Sequence, residues 1–340
     1  MATDIGIDLG SYKTVIFSSS NIIFEQPSYV TVDNETWEPL YFGEMAKQTL
    51  GRTPESLVCV NPIIHGKISD IDTAESMLKN YMYEAFGNKI LKPRIMATLP
   101  SGLTELQYHS LANAIELSGG RNVSVIESPL AIAYGLELDF SKPNGYLIID
   151  IGAGTTDIAV ISMGGIAASN SFPVASFDFD NQIIKYIRSE YNIEIGNLTA
   201  ESIKKQIGTV VERPVEIAMI AKGRNVFTGL PESFEITSSE VYFALKETVA
   251  NICNAIKDVF SKTDPDLLAD IKTDGFYLAG GGSRIFGMSD LLSELIGAAA
   301  HQLEDPEHSV VKGAAAALRH SDVINKTSYQ MRSIKELEIS

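Results

Sequence analysis

One pattern of apolar and polar positions occurs twice along the chain. In Ile5-Gly6-Ile7-Asp8-Leu9-Gly10-Ser11-Tyr12-Lys13-Thr14-Val15-Ile16 an apolar strand runs into Asp-x-Gly, a short polar turn and a second apolar strand. Leu147-Ile148-Ile149-Asp150-Ile151-Gly152-Ala153-Gly154-Thr155-Thr156-Asp157-Ile158 repeats that order. Each copy predicts a β-hairpin whose turn carries small and hydroxyl residues. Two copies about 140 residues apart predict two related halves, a spacing far longer than the ~20–50 residues of a solenoid repeat.

Between the hairpins, Ala74, Met77, Leu78, Tyr81 and Met82 recur at helical spacing and predict a helix over 73–85. Residues 94–99 read as a strand ending in Pro100-Ser101-Gly102. A helix over 104–118 follows, with Thr104 as N-cap and Gly119-Gly120 closing it. Residues 123–126 form another strand, with a helix from Leu130. In the second half, helices are predicted over 179–191, 199–208, 238–260, 289–296 and 310–318. A strand over 274–279 runs into the glycine turn Gly280-Gly281-Gly282. Strands alternating with helices predict an α/β fold with a largely buried sheet. The residues from Ser321 onward are polar and read as a helical or loose tail.

Composition narrows the partners. The 340 residues are 45% hydrophobic, enough for a large core and more than one domain. A net charge of −16 argues against nucleic acid as a main partner and gives no general attraction to anionic lipid. Cys59 and Cys253 lie far apart, so neither a metal motif nor a disulfide framework is expected, and the reading is a reducing cytoplasm. No signal peptide pattern and no apolar run of about 18 residues is present, so membrane contact is expected to be peripheral at most.

The chemistry concentrates in the turns. Asp8 and Asp150 each end an apolar strand, where an Asp can hold a magnesium ion through its waters. Gly10, Gly152 and Gly154 let backbone N–H groups approach and cradle phosphate oxygens, while Ser11, Thr155, Thr156 and Lys13 add donors. Ala279-Gly280-Gly281-Gly282-Ser283-Arg284 is a strand-to-helix glycine turn of the kind that lies against a nucleoside or beside phosphate. Neither a Walker A motif nor GxGxxG after a strand occurs, which removes the P-loop and Rossmann readings.

These three motifs, in this order and spacing, resemble the actin-type ATPase superfamily. Residues 8–14 resemble phosphate loop one, 150–157 loop two and 278–284 the adenosine motif. Within that superfamily the chain resembles the MreB family of bacterial actins over nearly all its length. Gly51-Arg52-Thr53-Pro54, Pro100-Ser101-Gly102, Ile161-Ser162-Met163-Gly164-Gly165-Ile166 and Thr228-Gly229-Leu230-Pro231 match in order. Loop two and the adenosine motif also resemble MamK, a magnetosome-aligning relative. The resemblance implies an actin-like α/β fold of two duplicated lobes, each a mixed sheet flanked by helices, with a nucleotide cleft between them. It implies subdomain IA from 1–29, 67–142 and 321–340, IB from 30–66, IIA from 143–176 and 246–320, and IIB from 177–245. It further implies ATP or ADP with Mg²⁺ in the cleft and self-assembly into double protofilaments. The nucleotide-binding residues it implies are Asp8, Gly10, Ser11, Tyr12, Lys13, Asp150, Gly152, Ala153, Gly154, Thr155, Asp178, Glu201, Lys204, Gly280, Gly281, Gly282 and Ser283. Asp8 and Asp150 would carry the Mg²⁺ water shell. Glu201 and Lys204 would meet the ribose and adenine, although by spacing alone they read as an exposed i, i+3 pair.

The chain departs from the family pattern in Glu127-Ser128-Pro129. Where the family has Glu-Glu-Pro, with the second glutamate orienting the attacking water, this chain has Ser128. Serine is a poor base at pH 7, and a positioned acid–base group typically contributes about 10²–10⁴-fold. Ser128, Thr155 and Glu127 are therefore the candidate hydrolytic residues, with slow turnover expected and Glu127 read as a carboxylate at a strand end. Ser176-Phe177-Asp178 occupies the place of the family's Gly-Gly-Asp near the ribose, with Asp178 still available, and Ala153 stands where glycine is common. An apolar pair, Ile90 and Leu91, flanked by lysines, is the candidate membrane loop.

The reading is a filament-forming, ATP-binding scaffold for cell shape, or a specialised MamK-like or motility filament working beside paralogous filament proteins. A sugar or acetate kinase would need a catalytic carboxylate where Ser128 stands. A heat-shock-type chaperone would need a further β-rich domain. An FtsA- or PilM-like adaptor would fail to pellet with nucleotide.

Overall fold

The computed structural model describes residues 4–18, 21–87, 93–320 and 332–333. The chain opens with strands β1 (Asp4–Leu9), β2 (Lys13–Ser18) and β3 (Asn21–Pro27). An outer excursion follows: β4 (Val30–Asp33), β5 (Pro39–Phe42), helix α1 (Gly43–Gln48), β6 (Leu57–Val60) and the short hairpin β7 (Ile63–Ile64) and β8 (Lys67–Ile68). The chain then returns through α2 (Ile71–Phe86), β9 (Arg94–Leu99), α3 (Glu105–Leu117), β10 (Arg121–Glu127) and α4 (Ser128–Gly135).

The second half repeats the plan. It runs through β11 (Tyr146–Ile151), β12 (Thr156–Ser162), β13 (Gly165–Phe172) and α5 (Ser176–Tyr191). Its own outer excursion is β14 (Ile193–Glu194), α6 (Asn197–Ile207), β15 (Ala218–Asn225) and β16 (Pro231–Thr237). After it come α7 (Ser238–Ser261), α8 (Pro265–Asp274), β17 (Phe276–Ala279), a 3-10 turn at Gly281–Arg284, α9 (Met288–Ile296), β18 (Ala300–Gln302), α10 (Ser309–Arg319) and β19 (Arg332–Ser333).

The two main sheets have matching order. The first runs β19-β10-β9-β1-β2-β3 and the second β13-β12-β11-β17-β18, so β10-β9-β1-β2-β3 corresponds to β18-β17-β11-β12-β13. In each, the first three strands pair antiparallel and the next two pair parallel, with β19 added antiparallel to β10 in the first sheet. The hairpins share their register: Asp8 faces Val15 and Leu9 faces Thr14 in one, Asp150 faces Asp157 and Ile151 faces Thr156 in the other. The repeat read from the sequence is a duplication of the fold.

Each lobe has its own core, and a third core lies between them. Ile7, Met77, Tyr81 and Ile95 pack in the first; Ile149, Phe179, Ile252 and Phe276 pack in the second. The third joins Met96, Leu130 and Ile132 to Ile148, Ala159 and Ala314. It exists because two helices cross over. α10, which follows the second sheet in sequence, lies on β1 and β9, and α4, which follows the first sheet, lies on β11 and β12.

Most strands and helices fall where the pattern puts them, to within a turn at the ends. One difference is at residue 274, placed in a strand by its apolar neighbours. Asp274 instead ends α8, a helix begun by Asp264 as N-cap and Pro265 in its first turn, and β17 starts at Phe276. The apolar pattern of α8 is weak because the helix buries only Ile271 fully.

Candidate functional site

A cleft of about 490 Å³ opens between the lobes, lined by the turns that follow β1 and β11, by the 3-10 turn and by α6. Of the expected nucleotide-site residues, it brings together Asp8, Gly10, Ser11, Tyr12, Lys13, Asp150, Gly152, Ala153, Gly154, Thr155, Glu201, Lys204, Gly280, Gly281 and Gly282, along with Ser128. Asp178, Ser283 and Glu127 are not among the lining residues. Ile90 and Leu91 lie outside the described residues.

The two phosphate-type loops are built alike. Gly10 N–H donates to Lys13 C=O at 3.1 Å and Gly152 N–H to Thr155 C=O at 2.9 Å, closing each turn the same way. Their carbonyls are held from outside the turn. Gly10 C=O accepts from Ser28 Oγ, Gly152 C=O from Ser176 N–H and Ala153 C=O from Phe177 N–H. In a trans peptide the C=O and the following N–H point opposite ways, so these bonds turn the N–H groups of Ser11, Ala153 and Gly154 the other way. The loops also touch each other across the cleft. A Cβ on Gly154 would stand 2.7 Å from Ser11 Oγ. At Gly280, φ is +81° and a Cβ would meet Ile151 C=O at 2.2 Å and Asp150 Oδ1 at 2.5 Å, so glycine is required there.

Three of the lining carboxylates come from the hairpins. Asp8, at the end of β1, accepts the Thr98 hydroxyl at 2.9 Å, and burial raises its carboxyl above the usual range. Burial raises Asp150 well above that range, and the charges of Asp157 and Asp8 add to it. Asp157, only 2% exposed, accepts Ser101 N–H at 3.0 Å and the Thr155 hydroxyl at 2.9 Å. Burial pushes its carboxyl up to about 6, against hydrogen bonds from Ser171, Thr155 and Ser101 that pull it down. Like charges desolvated together are stabilised by a cation, and a divalent ion held through water fits this set. Among the described residues no three His, Cys, Asp or Glu side chains form a direct metal shell. The Lys13 charge eases Asp8 but does not overcome its burial, and its ammonium is paired with Glu25 at 2.7 Å and Glu307 at 3.3 Å.

The hydrolytic candidates are placed unequally. Ser128 begins α4 and lines the cleft, but its hydroxyl donates to Leu99 C=O at 2.9 Å. Glu127 accepts the Tyr108 hydroxyl at 3.0 Å, the structural role its place at a strand end suggested. Asp178 caps α5, its Oδ2 accepting Ala175 N–H at 2.8 Å.

The outer end of the cleft is occupied by the protein itself. Glu201 accepts the Tyr12 hydroxyl at 2.9 Å and Lys205 Nζ at 2.6 Å, and lies 3.6 Å from Lys47 Nζ. Burial works to raise the Glu201 carboxyl, but Lys205, Lys47 and Tyr12 outweigh it and hold it low. Burial pushes the Tyr12 phenol up to about 12, with the Glu201 charge adding to it. Lys204 places its ammonium against Asp180 Oδ2 at 2.8 Å and against Ser176 O and Oγ, using its donors within the protein. Burial disfavours the charged form of both, lowering Lys204 and raising Asp180 to about 6, while their mutual attraction offsets part of that cost.

Several lining residues carry no signal in the sequence reading. Asp157 enters it only as the end of loop two, and nothing there marks Asp180, Arg213 or Phe286. Arg213 lies over the Phe286 ring at 4.0 Å. His65, at the tip of the β7–β8 hairpin, bonds Gly154 O at 2.7 Å. The duplication does not mark Asp157, because the equivalent position facing Asp8 is Val15; the pairing of Asp157 opposite Asp150 does.

Comparison with known proteins agrees with this geometry. The MreB/Mbl protein family model matches residues 2–326. The cell shape-determining protein Mbl of Bacillus subtilis (strain 168) is 37% identical over 327 residues, covering 96% of this chain and 98% of that protein. The cell shape-determining protein MreB of Escherichia coli (strain K12) is 33% identical over 329 residues, 95% of each. MreB5 of Spiroplasma citri bound to AMPPNP superposes with a TM-score of 0.89 at 31% identity, covering 96% of this chain and 99% of that one. The MamK double helical filament, at 21% identity and a TM-score of 0.76, shares the actin-like fold. With duplicated lobes around the cleft and relatives matched almost end to end, the chain belongs to the MreB/Mbl family of actin-like cell shape-determining proteins.

Proposed function

We propose that this chain binds ATP and ADP in the interlobe cleft, assembles into filaments and serves as a cytoskeletal scaffold for cell shape, with slow hydrolysis. The observation that carries the reading is the pair of matched loops, one from each lobe, meeting across the cleft with Asp8 and Asp150 at their strand ends. Support comes from MreB5 of Spiroplasma citri, solved with AMPPNP and with ADP. The N–H groups of Ser11, Ala153 and Gly154 suit phosphate oxygens, and the glycine turn at Gly280 suits the nucleoside. Asp8 and Asp150 would hold Mg²⁺ through water, and the ion would supply positive charge beside the phosphates.

Slow turnover follows from Ser128. Its side chain is shorter than glutamate, is no base at neutral pH and is bonded to Leu99 C=O. The cleft still positions phosphate, which carries much of the catalysis of phosphoryl transfer, so turnover is low rather than nil. Self-association is the expected partner choice, as in the MamK filament of the same fold. The test is sedimentation and phosphate release in one tube, with ATP, ADP or no nucleotide, for the native chain and Ser128→Glu. The native chain pellets with ATP, and Ser128→Glu releases phosphate at least tenfold faster. Equal rates in the two would overturn the role given to position 128. No pelleting under any nucleotide would point to an adaptor that does not polymerise.

A further inference from the structure

We propose that Asp157 is the positioning residue for the hydrolysis that remains, acting through Thr155. This deepens the reading of the cleft as an ATP site and rests on it. Ser128, which donates to Leu99 C=O, can only accept from a water, and one weak acceptor leaves the water's direction open, so a second is needed to orient it. Thr155 lines the cleft, and its hydroxyl proton is directed at Asp157 Oδ2 at 2.9 Å. A hydroxyl has one proton and two lone pairs. Spending the proton on Asp157 leaves the Thr155 oxygen facing the cleft as an acceptor, which is the polarity needed to hold a water by its own O–H.

Asp157 is fixed for this task. Its other oxygen accepts Ser101 N–H at 3.0 Å, so the carboxylate bridges the first lobe and the second. It sits opposite Asp150 in the hairpin, on the rigid strand β12 rather than in the loop. The water oxygen forms a bond to the γ-phosphorus as the bond to the bridging oxygen breaks, its electron pair leaving with ADP. The water's proton passes to a phosphate oxygen and departs with inorganic phosphate. Asp157 therefore orients Thr155 without itself changing protonation state.

The test is a double-mutant cycle on the full chain: native, Asp157→Asn, Thr155→Val and both together. The amide introduced by Asp157→Asn keeps an oxygen for Ser101 N–H and turns its own N–H groups toward Thr155, which reverses the Thr155 hydroxyl. Phosphate release with Mg·ATP is read beside equilibrium affinity for a fluorescent ADP. Each single substitution lowers release at least tenfold with affinity within threefold of native, and the double is no slower than Thr155→Val alone. Multiplicative losses would overturn the proposal, because a merely structural Asp157 adds its effect independently. Native release from Asp157→Asn, or a loss that tracks affinity, would overturn it too. Should Asp157→Asn lose its fold by circular dichroism, Asp157→Ser carries the same cycle. If the native chain binds nucleotide but releases no phosphate above background, this inference alone falls. If it binds none, the cleft is not a nucleotide site and both fall.

Discussion

The Asp157 carboxyl illustrates how single residues here are tuned by place rather than type. Its value rises from an ordinary 3.8 to about 6 because burial outweighs three hydrogen bonds. A carboxyl whose folded value exceeds its unfolded one binds more protons when folded, so its contribution is full below about 3.8 and is lost as pH rises through about 6. Asp157→Asn removes that dependence. Its unfolding free energy at pH 7 is expected to equal or exceed native by up to about 3 kcal/mol, with the difference closing as pH falls to about 4. Urea unfolding at several pH values between about 4 and 7 checks it; a difference that grows toward acid would mean the carboxylate is stabilised by its partners. Ser128 shows the complementary case, where a change of residue type removes a base while keeping a hydrogen bond to the backbone.

Elements set where those residues stand. α4 and α10 meet between the lobes at two glycines. A Cβ on Gly313 would lie 2.0 Å from Ala131 C=O, and a Cβ on Gly135 would lie 2.8 Å from Gly313 Cα. Neither contact involves a side chain that can swing away, so the backbones themselves must part. Gly313→Ala is therefore expected to cost about 1–3 kcal/mol, despite the higher helix propensity of alanine. Thermal unfolding reads it; a raised melting temperature would show that propensity outweighs packing at this crossing. Because α4 starts at Ser128 and α10 lies on β1, the same substitution disturbs the cleft, and nucleotide affinity should fall with stability.

At the scale of the molecule, two lobes are clasped at three levels around the cleft. His65 bonds Gly154 O in the middle, Lys13 pairs with Glu307 on one side, and Tyr12 with Lys47 meets Glu201 at the outer end. On the proposed reading of the cleft as a nucleotide site, the outer clasp borders the nucleoside. Tyr12→Phe keeps the ring beside Phe177 but removes the Tyr12 hydroxyl bond to Glu201, leaving Lys47 and Lys205 as the partners of that carboxylate. Bound fluorescent ADP is expected to leave about three- to tenfold faster when chased with excess ATP, since a bridge of this kind contributes roughly 1 kcal/mol. An unchanged rate would mean that the lobes stay closed without it.

Local pattern was enough to reveal the duplicated hairpins, the helices with strong apolar periodicity and the loops at Gly10, Gly152 and Gly280. In each, the residue types needed by a tight turn or a buried face lie next to one another in the chain. The Glu-Ser-Pro departure was equally legible, because it is a change of type at one position. The sequence could not disclose what depends on distant partners. That Ser128 bonds Leu99, that Asp178 caps its own helix, that Lys204 is used by Asp180, and that α10 packs on the opposite lobe are all settled by contacts. Burial, and with it the charge state of Asp157 and Asp180, is a property of the space between elements. Adjacency along the chain determines turns and periodicity; only tertiary packing decides which polar groups are already spent on the protein and which are left to meet a ligand.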